Sequence, residues 1–586
     1  MNISRRKLLQ ALGTTGAVSV SGCFGGELTA SQDTPVPTDD PVPTDEPIAS
    51  AATPTPSVDE IPEGGIGENF ELIGHDPLYD HNQYVHQVLD IPRGSNGDIA
   101  IAGDVVYVGS LIGHQPPLIV DISDPADPEV IGPIPDAIPG VGNGIEGIEV
   151  SGDVLVLDHR SPLGEEFDTP EGDPARGLSV YDVSDPREPH LVARHDAGDL
   201  HIHATSLWRD PEDADRLLAV QSNWDEPTII VFDLTGCPDS AQCDPTIVAE
   251  WSYEDQTGIS EYTHEATLST DGQRMYVPQW DAGTFLLDSS NLMESLREGG
   301  DCDPSPPEDT PGEEHCLTLL NPNPEDRLDT DPPFTSESHH STLKVPGRPY
   351  LLVTAESTGP RWDSDAEELV RGGCPGAFTR LVYIGEDEHE HHPSREEERE
   401  AMRGDLHPQI AGVFGLPEQQ LEHCTQDGWA EDTSELPAWF SPHYATVFPD
   451  LAFVTYYGAG LRAIDISNPF SPIEAGYYFN HPVEEVRWTS YGMVGSSLRD
   501  DDGERIGRPS PTRPFMMAFS YPVIHDGYVI YADVHSGLYI LEYDGPHADQ
   551  IPDEGTCESG NPGQADAGYE PCPPYGQTEW TGERPD

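Results

Sequence analysis

The segment "PLIVDISDPADP" at residues 117–128, together with its recurrences, decides the fold. It is an apolar run that ends in Asp and passes into a Ser-Asp-Pro turn. It returns as "LSVYDVSDPREP" at 178–189, "IIVFDLTGCPDS" at 229–240 and "TFLLDSSNL" at 284–292. Later forms are "RLVYIGEDE" at 380–388, "LRAIDISNPFSP" at 461–472 and "LYILEYDGP" at 538–546. Proline fixes φ and lacks an N–H, and Asp and Asn bond their own backbone, so such pairs stop a strand and open a turn.

Each copy follows a short apolar strand that begins after a tight turn, as in "GDVVYV" at 103–108 and "DGYVIY" at 526–531. A third strand lies earlier still, such as "DIAIA" at 98–102 or "YATVF" at 444–448. A fourth follows the turn, as in "PEVIG" at 128–132 and "PIEAGYYF" at 472–479. Four short strands per repeat, seven times over, predict an all-β, seven-bladed β-propeller across residues 67–546. The spacing averages about 70 residues, longer than compact propeller repeats, so loops are inserted. The seventh copy has no fourth strand after it. "FELIGHDPL" at 70–78 supplies one, so an N-terminal strand is expected to close the last blade and remove its open edge.

These strings resemble the LVIVD-repeat propellers of bacteria and archaea. "LIVDISDP" is close to that family's repeat, and blades two and six carry clear variants. The resemblance implies the propeller fold and an exported or surface setting. It brings no catalytic residues with it, because a fold alone does not give a chemistry.

Aligning the innermost strands yields a column at their entrance: Asn96, Glu146, His203, His264, His340, His443 and Ser520. Four consecutive blades place His there, in "HATSL", "HEATL", "HSTLK" and "HYATV". In a propeller this position borders the central channel. One reading is a strand-entry preference of the repeat. The sharper one is a metal held by His203, His264, His340 and His443, with Glu146 or Glu265 in support. Neutral imidazole suits transition metals such as copper, iron or zinc. The layout is similar to the axial histidine sites of carotenoid oxygenases and selenium-binding methanethiol oxidases. Loops after the second strands are expected to open on the same face and form a ligand pocket from His159, Trp224, Trp280, Glu356, Tyr457 and His535. No GxSxG elbow occurs, so a hydrolase triad has no local support.

The N-terminus, "MNISRRKLLQALGTTGAVSVSGC", reads as a twin-arginine signal peptide over residues 1–22 followed by a lipobox cysteine, Cys23. Lipidation at Cys23 would make the membrane a partner and place the chain on the extracellular face of the cell membrane. Residues 23–66 are rich in Pro, Thr and Asp and read as a disordered stalk. Residues 547–586 read as a C-terminal tail.

The formal net charge is −79, and lysine occurs only at Lys7 and Lys344. Such self-repulsion opposes a compact state unless molar salt screens it, at a Debye length of about 3 Å. This is the composition of a halophilic protein, and nucleic acid is a poor partner for it. Beyond Cys23 the cysteines are Cys237, Cys243, Cys302, Cys316, Cys374, Cys424, Cys557 and Cys572. An even count in an exported chain points to disulfides, with sequential pairing as the expectation because the pairs flank insertions or the tail. Two functions follow: a surface propeller that binds a small-molecule or protein ligand on its channel face, or a copper- or iron-dependent oxidoreductase with a four-histidine axial site.

Overall fold

The computed structural model describes residues 52–56, 60–78, 96–111, 116–138, 142–160, 176–197, 202–223, 228–252, 263–280, 283–300, 302–305, 315–320, 338–356, 361–363, 368–370, 377–384, 408–419, 440–481 and 516–557. The chain is a β-propeller. In chain order the described ladders make seven four-stranded antiparallel groups. The first two, which start at Asn96–Ala102 and Gly142–Ser151, are joined into one sheet by a single pair, Ser110 with Asn143. The others start at Ile202–Asp210, Thr267–Leu268, Ser338–Lys344, Pro442–Val447 and Val523–His525.

The Asp that ends the recurring strand has the local role its chemistry suggests. In five groups its Oδ1 accepts the amide two residues on: Asp121 from Ser123, Asp182 from Ser184, Asp233 from Thr235, Asp288 from Ser290 and Asp465 from Ser467, at 2.8–2.9 Å. The strand is thereby capped and turned. Inner strands are buried along their whole length, as in Gly142–Ser151, whereas outer strands such as His190–Asp196 are half-buried. Burial therefore increases toward the axis.

Outer strands meet the next blade at glycine. A Cβ on Gly74 would lie 1.9 Å from the Pro125 carbonyl oxygen, and one on Gly412 would lie 2.2 Å from that of Pro469. Both prolines belong to the Asp-Pro or Asn-Pro turn of the following blade, so the glycine lets that turn dock. Trp208, Trp251 and Phe285 fill the space between blades three and four.

The last blade is completed by Phe70–Asp76, which pairs with Gly537–Tyr543. Asn96 of blade one then bonds the carbonyls of Val534, at 3.0 Å, and Asp533, at 2.9 Å. Additions to the four-strand plan are Ile66–Glu68 on the edge of blade six and Thr556–Cys557 beside Val523–His525. The insertion after blade four's third strand carries a helix, Ser290–Glu298.

The expected stalk over residues 23–66 ends earlier than its composition suggests. The Thr53 and Thr55 amides donate to Glu474 Oε2, at 2.8 Å, and Glu418 Oε1, at 2.6 Å. The buried Arg462 guanidinium donates to both the Thr53 carbonyl and Glu474 Oε1. Ile61 packs with Phe479 and Met516. A few apolar and backbone groups thus dock this segment on the propeller. The tail also begins beyond residue 547, because Ala548–Cys557 packs against blade seven.

Disulfides join Cys237 to Cys243 and Cys302 to Cys316, and Cys557 is also disulfide-bonded. The expected signal peptide, Cys23, Trp224, Cys374, Cys424 and Cys572 lie outside the described residues.

Candidate metal centre

The innermost strands do not run straight past the channel. Their pairing register shifts between Asn143 and Ile148, Ile202 and Thr205, His339 and Thr342, and Pro442 and Ala445. Glu146, His203, His340 and His443 each sit inside one of these irregularities. A bulge bends the strand and re-aims a side chain, which here turns one residue per blade inward.

Hydroxyl groups on the second strands lock these bulges from blade to blade. Ser222 Oγ accepts the amide of Ala204, next to His203, and donates to the carbonyl of His264 at 2.7 Å. Thr354 Oγ1 accepts the amide of Ser341, next to His340, and donates to the carbonyl of His443 at 2.7 Å. Thr455 Oγ1 accepts from the Tyr444 amide and donates to the carbonyl of Ser520 at 3.1 Å. Sequence reasoning missed all three residues. A hydroxyl residue recurring in "VQSN", "LVTA" and "FVTY" was the available signal.

The four imidazoles converge. His203 Nε2 and His264 Nε2 are 2.7 Å apart, and Glu146 Oε2 is 3.3 Å from the first and 3.4 Å from the second. His340 Nε2 lies 3.9 Å from Glu146 Oε2. Glu356 Oε2 is 4.0 Å from both His264 Nε2 and His340 Nε2. Ring centroids step from His203 to His264 to His340 to His443 at 4.1, 3.6 and 4.1 Å. All six residues are at most 2% exposed. Ligand atoms fall into three triads, each with its atoms within 4.8 Å of one another: Glu146–His203–His264, Glu146–His340–His443 and His264–His340–Glu356.

The protonation states suit ligation. Burial drives His443 down to about 3. Burial, with His264 and His443 adding to it, drives His340 well below its ordinary value, and the His443 backbone pulls weakly the other way. Both imidazoles are therefore neutral near pH 7, the form that offers a lone pair. The carbonyl of Phe519 can only accept, so His443 Nδ1, 2.5 Å from it, carries the proton and Nε2 carries the lone pair. The Nε2 atoms of His340 and His443 make no hydrogen bond among the described residues.

Both carboxylates of the cluster are held by tyrosines. Tyr444 donates to Glu146 Oε2 at 3.1 Å, and Tyr457 donates to Glu356 Oε1 at 2.5 Å. Burial, reinforced by Glu146 and Glu265, raises Tyr444 far above its usual value, so it stays a donor. The Trp280 ring stacks on His264 at 5.6 Å.

Glu356, Tyr457 and Trp280, grouped by sequence as loop residues of a ligand pocket, thus lie against the histidines. His159 and His535, grouped with them, belong to none of the triads, although both are buried. Glu265 also stands outside the triads. Its Oε1 accepts from Tyr521 at 2.5 Å, since neighbouring side chains of an extended segment point to opposite sides. A buried acidic layer results. Burial lifts Asp98 to about 8, against the pull of the Tyr521 and Ile99 amides, and the charges of Glu146 and Asp158 add to the rise. Burial likewise lifts Glu265 to about 8, against its bond from Tyr521 and with Asp98 and Glu146 adding. Both carboxyls are therefore largely protonated near neutral pH.

The LVIVD repeat matches the chain at residues 93–134 and 447–479, which fall on blades one and six. No curated protein matches it. Similar solved structures include Sqt1 from Chaetomium thermophilum, 11% identical, covering 81% of this chain and 100% of that one at a TM-score of 0.40. Sqt1 of the same organism, bound to the N-terminus of the ribosomal protein L10, is 12% identical, with 80% and 91% covered and a TM-score of 0.38. The β-propeller domain of Cps50 (Swd1) from Myceliophteria thermophila is 8% identical, with 77% and 98% covered and a TM-score of 0.37.

Proposed function

We propose that this LVIVD-repeat propeller is a metal-binding protein whose axial centre is built from His203, His264, His340, His443 and Glu146, with Glu356 completing it. The observation that carries the reading is the convergence of four buried imidazoles from four consecutive blades on one pair of carboxylates. Histidine-rich donor sets favour zinc, copper or iron over calcium or magnesium. Such an ion supplies Lewis acidity or, if copper or iron, one-electron chemistry, which would make the chain a metal-dependent oxidoreductase. The protein's own part is to orient the imidazoles through the hydroxyl bridges, fix Glu146 and Glu356 through Tyr444 and Tyr457, and exclude water. The test is elemental analysis of the chain purified in high salt, beside a His264→Ala, His443→Ala double variant. Stoichiometric metal lost in the double variant supports the reading. Metal far below one equivalent in the wild type, unchanged in the variant, sinks it.

Exported, lipid-anchored placement through Cys23 on the outer face of the cell membrane belongs to the same proposal, on the order of charge pair, apolar run and cysteine at the N-terminus. Mass spectrometry of the mature N-terminus tests it, and an unmodified Cys23 refutes it.

A second reading, docking of a protein partner, is favoured by one surface feature. Ile410 and Val413 on the outer strand of blade five are 42% and 46% exposed, and Phe470 and Ile473 of blade six are 71% and 45% exposed. Gly412 brings the first pair against the turn that carries the second. Apolar surface of this kind on an otherwise strongly acidic protein suits a protein partner. Phe470→Ser, Ile473→Ser should abolish co-purification of a specific partner. An unchanged set of co-purifying proteins would count against this reading.

A further inference from the structure

We infer that the axial centre is dinuclear, with Glu146 as the carboxylate shared by two metal ions. The inference rests on the metal-binding reading above and goes beyond it in nuclearity and in the division of ligands.

Two of the three triads share Glu146. One triad joins it to His203 and His264, and another joins it to His340 and His443. The first is compact, with edges of 2.7, 3.3 and 3.4 Å. An ion about 2.0–2.1 Å from tetrahedrally placed donors needs edges of about 3.3–3.4 Å, so this triangle already has nearly the right size. A proton shared between His203 and His264 would account for their short contact without any metal. It would account for nothing in the second triad.

The second triad supplies the independent observation. His340 Nε2 and His443 Nε2 are wholly buried and make no hydrogen bond among the described residues. The Phe519 carbonyl forces the lone pair of His443 onto Nε2. A buried nitrogen lone pair with no donor is costly to leave unmatched, and a second ion would match it. The imidazoles also form a stair, each ring in contact with the next. His203 and His443 are its two ends, and no triad contains both.

A pair of divalent ions bridged by a carboxylate is suited to hold both ends of one small oxygen-containing ligand.

The test uses the full chain in molar salt, stripped with chelator and titrated with Zn²⁺ alone. Two equivalents should bind. His203→Ala and His443→Ala should each lose one and keep the other. One equivalent in the wild type overturns the dinuclear inference and leaves the metal-binding reading standing, whereas none overturns both. If either variant fails to fold, Cu²⁺ loading of the wild type decides. The second equivalent should couple to the first and quench its mononuclear EPR signal, and two additive, uncoupled signals would overturn the inference.

Discussion

The Thr354 hydroxyl donates to the carbonyl oxygen of His443, 2.7 Å away in the next blade, while accepting the amide beside His340. One side chain therefore fixes the backbone under two of the four histidines. Thr354→Val keeps the shape and removes both bonds, together with the contact between the Thr354 and Ser341 hydroxyls at 2.8 Å. It should cost about 1–3 kcal/mol of stability, measured by denaturant unfolding at constant salt. Metal affinity should fall as well, although Thr354 is not a ligand. Unchanged affinity alongside the stability loss would show that the bridge holds the fold and not the site.

Tyr444 reaches Glu146 across the channel, from blade six to blade two. Tyr444→Phe should lower metal affinity by about 10- to 100-fold, as expected for loss of a group that orients a ligand. A competition titration with a chromophoric chelator measures this. Circular dichroism should remain that of the wild type.

Gly74 lets the first Asp-Pro turn seat against the closing strand. Gly74→Ala places a methyl carbon in the space held by the Pro125 carbonyl. The ring should loosen at its closure, at a cost of about 1–3 kcal/mol. Hydrogen exchange should rise first in Phe70–Asp76 and in Leu118–Asp121. Gly132→Ala, where a Cβ meets nothing, is the control and should be close to neutral.

Asp210 is fully buried and takes Arg297 at 2.7 and 2.9 Å and Arg216 at 2.7 Å. Burial pushes its carboxyl up, but Arg297, the Glu212 amide and Arg216 outweigh burial and hold it below its usual value. A lowered folded pKa stabilises the protein above the unfolded value, about 3.9, and that contribution is lost as pH falls through the folded value. Asp210→Asn should therefore be less stable at neutral pH and lose less on acidification below about pH 4. Thermal midpoints across a pH series read the difference, and parallel curves would refute it.

The net charge of −79 sets the response to salt. Thermal midpoints should climb steeply between about 0.2 and 2 M KCl, as the Debye length falls toward 3 Å or less. A flat response would show that the carboxylates are spread too widely to repel.

Much of the architecture was legible in the chain. The strand-Asp-turn repeat is local, because alternation and turn chemistry act within a few residues, and so seven copies could be counted without coordinates. The closing role of residues 70–78 followed from one missing strand. The shared register of His203, His264, His340 and His443 was also visible, since each follows a blade's entry point. Glu265, read from the sequence as a support, stands outside the triads because an adjacent position on an extended segment faces Tyr521 instead.

By itself, then, the sequence determined the propeller, its repeat and the column of histidines, all of them properties of short stretches read one at a time. Only the tertiary structure decided that Glu356 meets those histidines, that Tyr444 and Tyr457 hold the carboxylates, and that residues 52–56 and 60–66 dock instead of trailing free. Those contacts join residues far apart in the chain, 409 positions in the case of Arg462 with Thr53. They depend on how far each bulge turns a side chain toward the axis, a distance that no pattern within one repeat encodes.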